Sequence, residues 1–144
     1  MKKTKKILVV GGTGFIGFYL AKQCLKKKWQ VISFSKNLPR KIRYLQKVKY
    51  LTGDLSKKKD LKILNKSFDY VVNLGGYVDH KNKVKTYNSH YKGCKNLSNY
   101  FLDKKIKSFI QLGSSGEYGN LKSPQKESSI GNPKSFYTKA KFLA

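Results

Sequence analysis

Acidic residues are scarce. Seven Asp and Glu stand against 32 Lys and Arg, for a formal net charge of +25. Arginine is scarcer still, present only as Arg40 and Arg43, so the usual reader of base edges in a DNA groove is nearly missing. The lysines run along the whole chain, Lys26–Lys28 and Lys57–Lys59 among them, which favours a lysine-rich coat over a nucleic-acid surface. There are two cysteines, Cys24 and Cys94, with no C-x-x-C and no Cys/His cluster, and His80 and His90 are isolated. A metal centre therefore has no ligand set. The thiols read as core or helix-surface groups and the histidines as solvated. No apolar run approaches the roughly 20 residues of a membrane span. Ile7–Val10, behind the basic run Met1–Lys6, is too short for a secretory leader. The expectation is a cytoplasmic protein with no membrane partner.

What is present suffices for a core. At 144 residues, 39% hydrophobic and 13% aromatic, the composition is that of one folded domain. Apolar runs predict strands at Lys6–Val10, Gln30–Ser35, Val48–Thr52, Phe68–Leu74 and Lys107–Leu112. Between them, helical spacing predicts a helix over Phe15–Lys27 with a core face of Ile16, Leu20, Ala21, Cys24 and Leu25. Further helical stretches are expected near Arg40–Gln46, Ser56–Asn65 and Val84–Lys104, and from Phe136 onward. In the long helix Tyr87, Tyr91, Cys94 and Leu97 or Ser98 share a face, whereas Gly113–Gly119 reads as a loop and Leu121–Asn132 as irregular. Strands alternating with helices imply right-handed βαβ units and a doubly wound parallel α/β sheet, whose ligands bind at the carboxyl ends of the strands.

The first of those ends reads Gly11-Gly12-Thr13-Gly14-Phe15-Ile16-Gly17, a G-x-x-G-x-x-G turn between a buried strand and a helix. Gly11 permits the sharp turn, Gly14 lets phosphate oxygens approach the backbone, and Gly17 allows close helix packing. The helix N-terminus then offers free N–H groups and a positive dipole end to a pyrophosphate. Ser35 stands at the end of the second strand, where NAD-binding chains usually carry a carboxylate, and Lys36 and Arg40 follow. A hydroxyl flanked by cations accepts a 2′-phosphate, which favours NADP over NAD, unless these are two more surface cations. Asp54 either accepts from the adenine amino group or caps the next helix.

Tyr137 and Lys141 are four apart and share a helix face. A free tyrosine is a poor base at neutral pH, and a neighbouring ammonium stabilises the phenolate. Ser114 and Ser115, in the loop after the fifth strand, offer a hydroxyl for the substrate oxygen. Ser, Tyr and Lys together suit carbonyl–alcohol interconversion with hydride transfer.

Five motifs in this order resemble the NAD-dependent epimerase/dehydratase family, the extended short-chain dehydrogenases/reductases. They are the Gly11–Gly17 turn, Val71-Val72-Asn73-Leu74-Gly75-Gly76, the set Asn88, Gly93, Asn96 and Leu97, Ser114-Ser115-Gly116-Glu117-Tyr118-Gly119, and the set Pro133, Ser135, Tyr137 and Lys141. The resemblance implies a Rossmann fold holding NADP or NAD. Its cofactor contacts would be Gly11, Thr13, Gly14, Phe15, Ile16, Gly17, Ser35, Lys36, Arg40, Asp54, Leu55, Leu74, Gly75 and Gly76, with Tyr137 and Lys141. It implies a nucleotide-sugar substrate, with Tyr137 as base, Lys141 as its helper and Ser115 (or Ser114) as the hydroxyl partner. Gly116 stands where dehydratases carry an acid, so epimerisation or reduction is expected before dehydration. Family members are about twice as long. Residues 1–144 are thus expected to be an incomplete Rossmann domain, ending after the fifth strand and the start of the next helix, with the substrate domain absent. The resemblance leaves room for a homodimer of a full-length enzyme. A non-catalytic dinucleotide-binding or sensor module is the alternative, with a basic nucleic-acid-binding protein behind it.

Overall fold

A computed structural model describes residues 3–144; Met1 and Lys2 of the basic N-terminal run lie outside the described residues. Five strands form one parallel sheet: β1 (Lys6–Val10), β2 (Gln30–Ser35), β3 (Val48–Thr52), β4 (Tyr70–Asn73) and β5 (Ser108–Gln111). Their order is β3-β2-β1-β4-β5. The chain winds outward from β1 to β3, then crosses to β4 on the other side, so the sheet opens a crevice at the carboxyl ends of β1 and β4. This is a doubly wound Rossmann-type fold.

The alternation along β1 shows why both faces are covered. Leu8 and Val10 join Ile32, Phe34, Leu61, Leu64, Val71, Leu97 and Phe101 in one core. Ile7 and Val9 join Ala21, Cys24, Val31, Val48 and Val72 in the other. Each buried Val, Leu, Ile or Phe among them contributes about 1.5–3 kcal/mol. One layer is closed by helix α1 (Phe15–Lys26) and the other by helix α3 (Gly93–Phe101) with the turns before β4.

Three sequence expectations need correction. Ile16 is 55% exposed and not part of α1's core face, which is Gly17, Ala21 and Cys24. Gly17 lies against the Gly11–Gly12 turn, and Ile16 beside it lines the cleft instead of the core. The stretch expected as a polar helix at Ser56–Asn65 is a 3₁₀ segment, Lys58–Ile63. Leu61 and Leu64 are both buried there, and residues three apart eclipse in a 3₁₀ turn. The long helix runs unbroken from Lys83 to Phe101 but is not α-helical throughout. Helix α2 (Lys83–Tyr87) passes through a π-helical turn, Asn88–Lys92, into α3. The wider turn shifts the inward stripe to Thr86, His90, Cys94, Leu97 and Phe101, leaving Tyr87 and Tyr91 on its flank. Helix α4 (Phe136–Phe142) closes the described chain, and both cysteines are buried free thiols.

Candidate cofactor and catalytic site

The carboxyl ends of β1 to β4 open into a cleft of about 620 Å³. Its β1 wall is Gly11, Thr13, Gly14, Phe15, Ile16 and Gly17. The ends of β2 and β3 supply Ser35, Lys36, Asp54 and Leu55, and the end of β4 supplies Leu74, Gly75 and Gly76. The cleft also takes in Asn37, Tyr77, Val78 and Asp79, which continue the strand-end segments of β2 and β4, and Ser89 from the π turn, which no strand end announces. Arg40 is exposed and is not among the residues lining the cleft.

The glycine turn is shaped by two close contacts. Gly11 has φ +75°, and its N–H donates to the Phe34 carbonyl at 2.8 Å, tying the turn to β2. A side chain at Gly17 would put its Cβ 2.6 Å from Gly12 Cα, so α1 can approach the turn only with glycine there. A Cβ at Gly14 would meet only the Gly11 carbonyl, at 3.2 Å. Gly14 N-caps α1 with no side-chain cap and no acid in the first turn, which leaves the helix dipole uncompensated on the cleft side.

At the β2 and β3 ends, Lys36 Nζ pairs with Asp54 Oδ2 at 2.9 Å. Asp54 Oδ1 accepts from Ser56 N at 2.9 Å and from Ser56 Oγ at 2.8 Å. Burial raises the Asp54 carboxyl, but the bonds from Lys36 and Ser56 outweigh it and hold the group below its usual value. Asp54 thus closes a turn and faces the cleft at once. Ser35 Oγ is buried without a hydrogen-bond partner.

The catalytic candidates sit beyond β5. Ser135 caps α4, its Oγ accepting from Thr138 N at 3.1 Å, and this fixes the turn that carries Tyr137. Lys141 is buried, and its Nζ donates to the Leu112 carbonyl, pinning α4 to the end of β5. Burial lowers the Lys141 ammonium below its ordinary value, against the nearby Glu117 carboxylate. The expected loop Gly113–Gly119 contains a 3₁₀ turn, Ser115–Tyr118. Its Ser114 Oγ accepts from Gly116 N at 3.2 Å, and Ser114 N donates to Glu117 Oε1 at 2.7 Å. A Cβ at Gly116 would fall 2.6 Å from Thr138 Cγ2, so the serine turn lies against α4. The Ser114 hydroxyl is spent on the turn, whereas Ser115 is exposed.

The histidines are neither isolated nor both solvated. His80 stacks on Tyr137 with ring centroids 3.9 Å apart and planes 13° apart. His90 is 6% exposed and meets the same phenol edge-to-face at 5.1 Å. The π turn, which no sequence period announces, carries His90 inward.

The pattern of the NAD dependent epimerase/dehydratase family matches residues 7–144. The chain belongs to that family. No curated protein sequence matches it. Among solved structures, the UDP-Glc/GlcNAc 4-epimerase of Campylobacter jejuni is 25% identical, with a TM-score of 0.86, covering 96% of this chain and 46% of its own. The Helicobacter pylori ADP-L-glycero-D-manno-heptose-6-epimerase is 24% identical, with a TM-score of 0.86 and coverage of 98% and 50%. The Bordetella bronchiseptica enzyme WbmG, solved with NAD and UDP, is 18% identical, with a TM-score of 0.87 and coverage of 98% and 48%. The chain spans about half the length of these three solved proteins.

The residues present fit the family's dinucleotide. The uncapped α1 N-terminus and the open approach at Gly14 suit a pyrophosphate, and the orphaned Ser35 Oγ is a buried polar atom in want of a partner at the expected ribose position.

Proposed function

We propose that residues 1–144 are the cofactor-binding half of an NAD(P)-dependent epimerase/dehydratase-type oxidoreductase acting on a nucleotide sugar. The observation that carries this reading is the uncapped helix N-terminus at Gly14–Gly17, opening into a cleft at the carboxyl edge of the sheet. The α4 helix, with Tyr137 and Lys141, packs beyond the same edge.

When bound, the nicotinamide supplies a hydride acceptor and donor. Gly14 and the first turn of α1 would hold the pyrophosphate. Leu55, Leu74, Gly75 and Gly76 would enclose the cofactor. Ser35 and Lys36 would hold the adenosine ribose or its 2′-phosphate, while Asp54 competes for Lys36. Tyr137 would take the sugar hydroxyl proton, Lys141 would stabilise the resulting charge, and Ser115 would bind the sugar oxygen. With Gly116 where an acid would serve dehydration, epimerisation or reduction is the favoured outcome.

Calorimetric titration of the chain with NADH and NADPH tests the reading, with a nucleotide-sugar turnover assay comparing wild type and Tyr137→Phe. Saturable binding of either cofactor is expected. No binding at millimolar cofactor would end the proposal. Binding without any turnover dependent on Tyr137 would leave the chain a non-catalytic dinucleotide-binding module.

A further inference from the structure

Two imidazoles grip one phenol. His80, in the loop that leaves the cleft after Asp79, covers the face of Tyr137 at 3.9 Å with nearly parallel planes. His90, in the π turn between α2 and α3, meets the ring edge-to-face, 75° out of plane. The two imidazoles are 5.9 Å apart. They arrive from one crossover, whereas Tyr137 arrives on α4, more than forty residues later in the chain.

His90 is held rigidly and at a cost. Its Nε2 lies 3.3 Å from the Tyr77 carbonyl, so Nε2 carries the proton and donates. Nδ1 is then a bare acceptor, buried and without a partner. Native folds rarely leave such an atom, and one that stays calls for another role of the side chain. The backbone is fitted to this ring: a Cβ at Gly76 would stand 2.9 Å from His90 Nδ1 and closer still to the ring carbon. Burial keeps His90 neutral by lowering its affinity for a proton, and Lys141 and His80 act in the same direction, opposed by the Tyr77 carbonyl. A neutral ring can pack against the phenol without bringing a charge.

We propose that His80 and His90 are positioning residues for Tyr137: His90 is the fixed wall and His80 the plate that lies on the ring. The pair ties the phenol to the Gly75–Asp79 wall of the cofactor cleft, so the orientation of Tyr137 follows the loop that touches the cofactor. The consequence for catalysis rests on Tyr137 being the acid–base residue of the proposed function; the grip itself does not.

The test is aromatic NMR on the full chain, with ring-labelled Tyr and His and Tyr137 assigned through Tyr137→Phe. Cross-peaks from the Tyr137 ring to both imidazoles are expected, with an upfield ring shift caused by the His80 face. His80→Ala should remove that shift and speed ring flipping. His80→Phe, which restores a flat ring without the imidazole's polar atoms, should recover both. His90→Gln gives a second arm and should broaden the Tyr137 signals even with His80 in place. Unchanged Tyr137 signals in His80→Ala, or failure of His80→Phe to recover them, would overturn the proposal. If wild type bound neither NADH nor NADPH, the proposed function would fail while these signals still decided the grip.

Discussion

Asp54 and Lys36 share one ion pair at the end of the cleft proposed to hold the adenosine ribose. A 2′-phosphate would draw Lys36 toward itself, so Lys36→Ala should weaken NADPH binding about tenfold and NADH binding far less, one charge-assisted bond being involved. Asp54→Asn frees Lys36 and should move the preference toward NADPH; paired titrations measure both. The same carboxylate has a pH signature. Its folded value lies below its unfolded value. Its stabilisation is therefore complete above the unfolded value near 4 and is lost as the pH falls through the lower, folded value. With Lys36 largely exposed, the pair supplies on the order of 1 kcal/mol. Urea melts from neutral to acid pH should show a shallower slope in Asp54→Asn than in wild type, the remainder including Asp69, whose carboxyl is held below its usual value by bonds from the Lys6 amide and Lys107. Lys141 makes the opposite point. A buried ammonium costs desolvation free energy, and an apolar side chain of similar length avoids it. Lys141→Met should leave stability within about 1 kcal/mol of wild type or raise it. Any Tyr137-dependent turnover should nonetheless be lost, a combination that separates a functional lysine from a structural one.

Two glycines of one turn should respond differently to a single methyl. At Gly17 the new Cβ strikes backbone at 2.6 Å, so α1 must lift off the turn. Overpacking of this kind costs about 1–3 kcal/mol, and cofactor binding should fall with it. At Gly14 the nearest atom is 3.2 Å away. Gly14→Ala should therefore destabilise less than Gly17→Ala, through a tight contact with the Gly11 carbonyl and a poorer N-cap, yet bind dinucleotide less tightly, because the methyl occupies the phosphate's approach. Denaturant melts and titrations on both variants check this. The contrast also bounds what could be read from the chain. Strands β1, β2 and β3 carry apolar runs bounded by polar residues, and the glycine turn has local causes, so both were legible. The 3₁₀ segment Lys58–Ile63 was misread as an α-helix because Leu61 and Leu64, three apart, suit either helix until the sheet decides the spacing. The π turn was invisible: one extra residue moved the buried stripe from Tyr87 and Tyr91 to Thr86 and His90. The grouping of His80 and His90 was not legible either, since their shared partner Tyr137 lies far along the chain. The cleft wall was legible from strand ends, but Arg40, read as part of it, lies outside.

At the scale of the molecule, two opposed forces act on the sheet's open edge. Strand β5 ends the sheet, its outer backbone edge unpaired by any other strand among the described residues, and Ile110 is 52% exposed with Leu112 at 41% beside it. An unpaired strand with exposed apolar side chains is a template for pairing with a second chain. The net charge of +25 works against that pairing, because every encounter between copies brings two strongly positive surfaces together. The repulsion is long-ranged and screened by salt, with a Debye length of about 30 Å at 0.01 M and about 3 Å at 1 M, whereas the edge contact is short-ranged and strengthens as the repulsion fades. The 144-residue chain should therefore sediment as a monomer at low ionic strength and associate as sodium chloride rises. Nucleic-acid binding, which the charge also invites, has the opposite salt dependence, with affinity falling steeply as salt is added. Ile110→Lys places a charge on the edge itself and should hold the protein monomeric at high salt. The same substitution made at Ile130, 88% exposed in the irregular stretch after β5, should not. If Ile110→Lys associates as readily as wild type, the contact between copies lies elsewhere on the surface and the β5 edge is not the site of association.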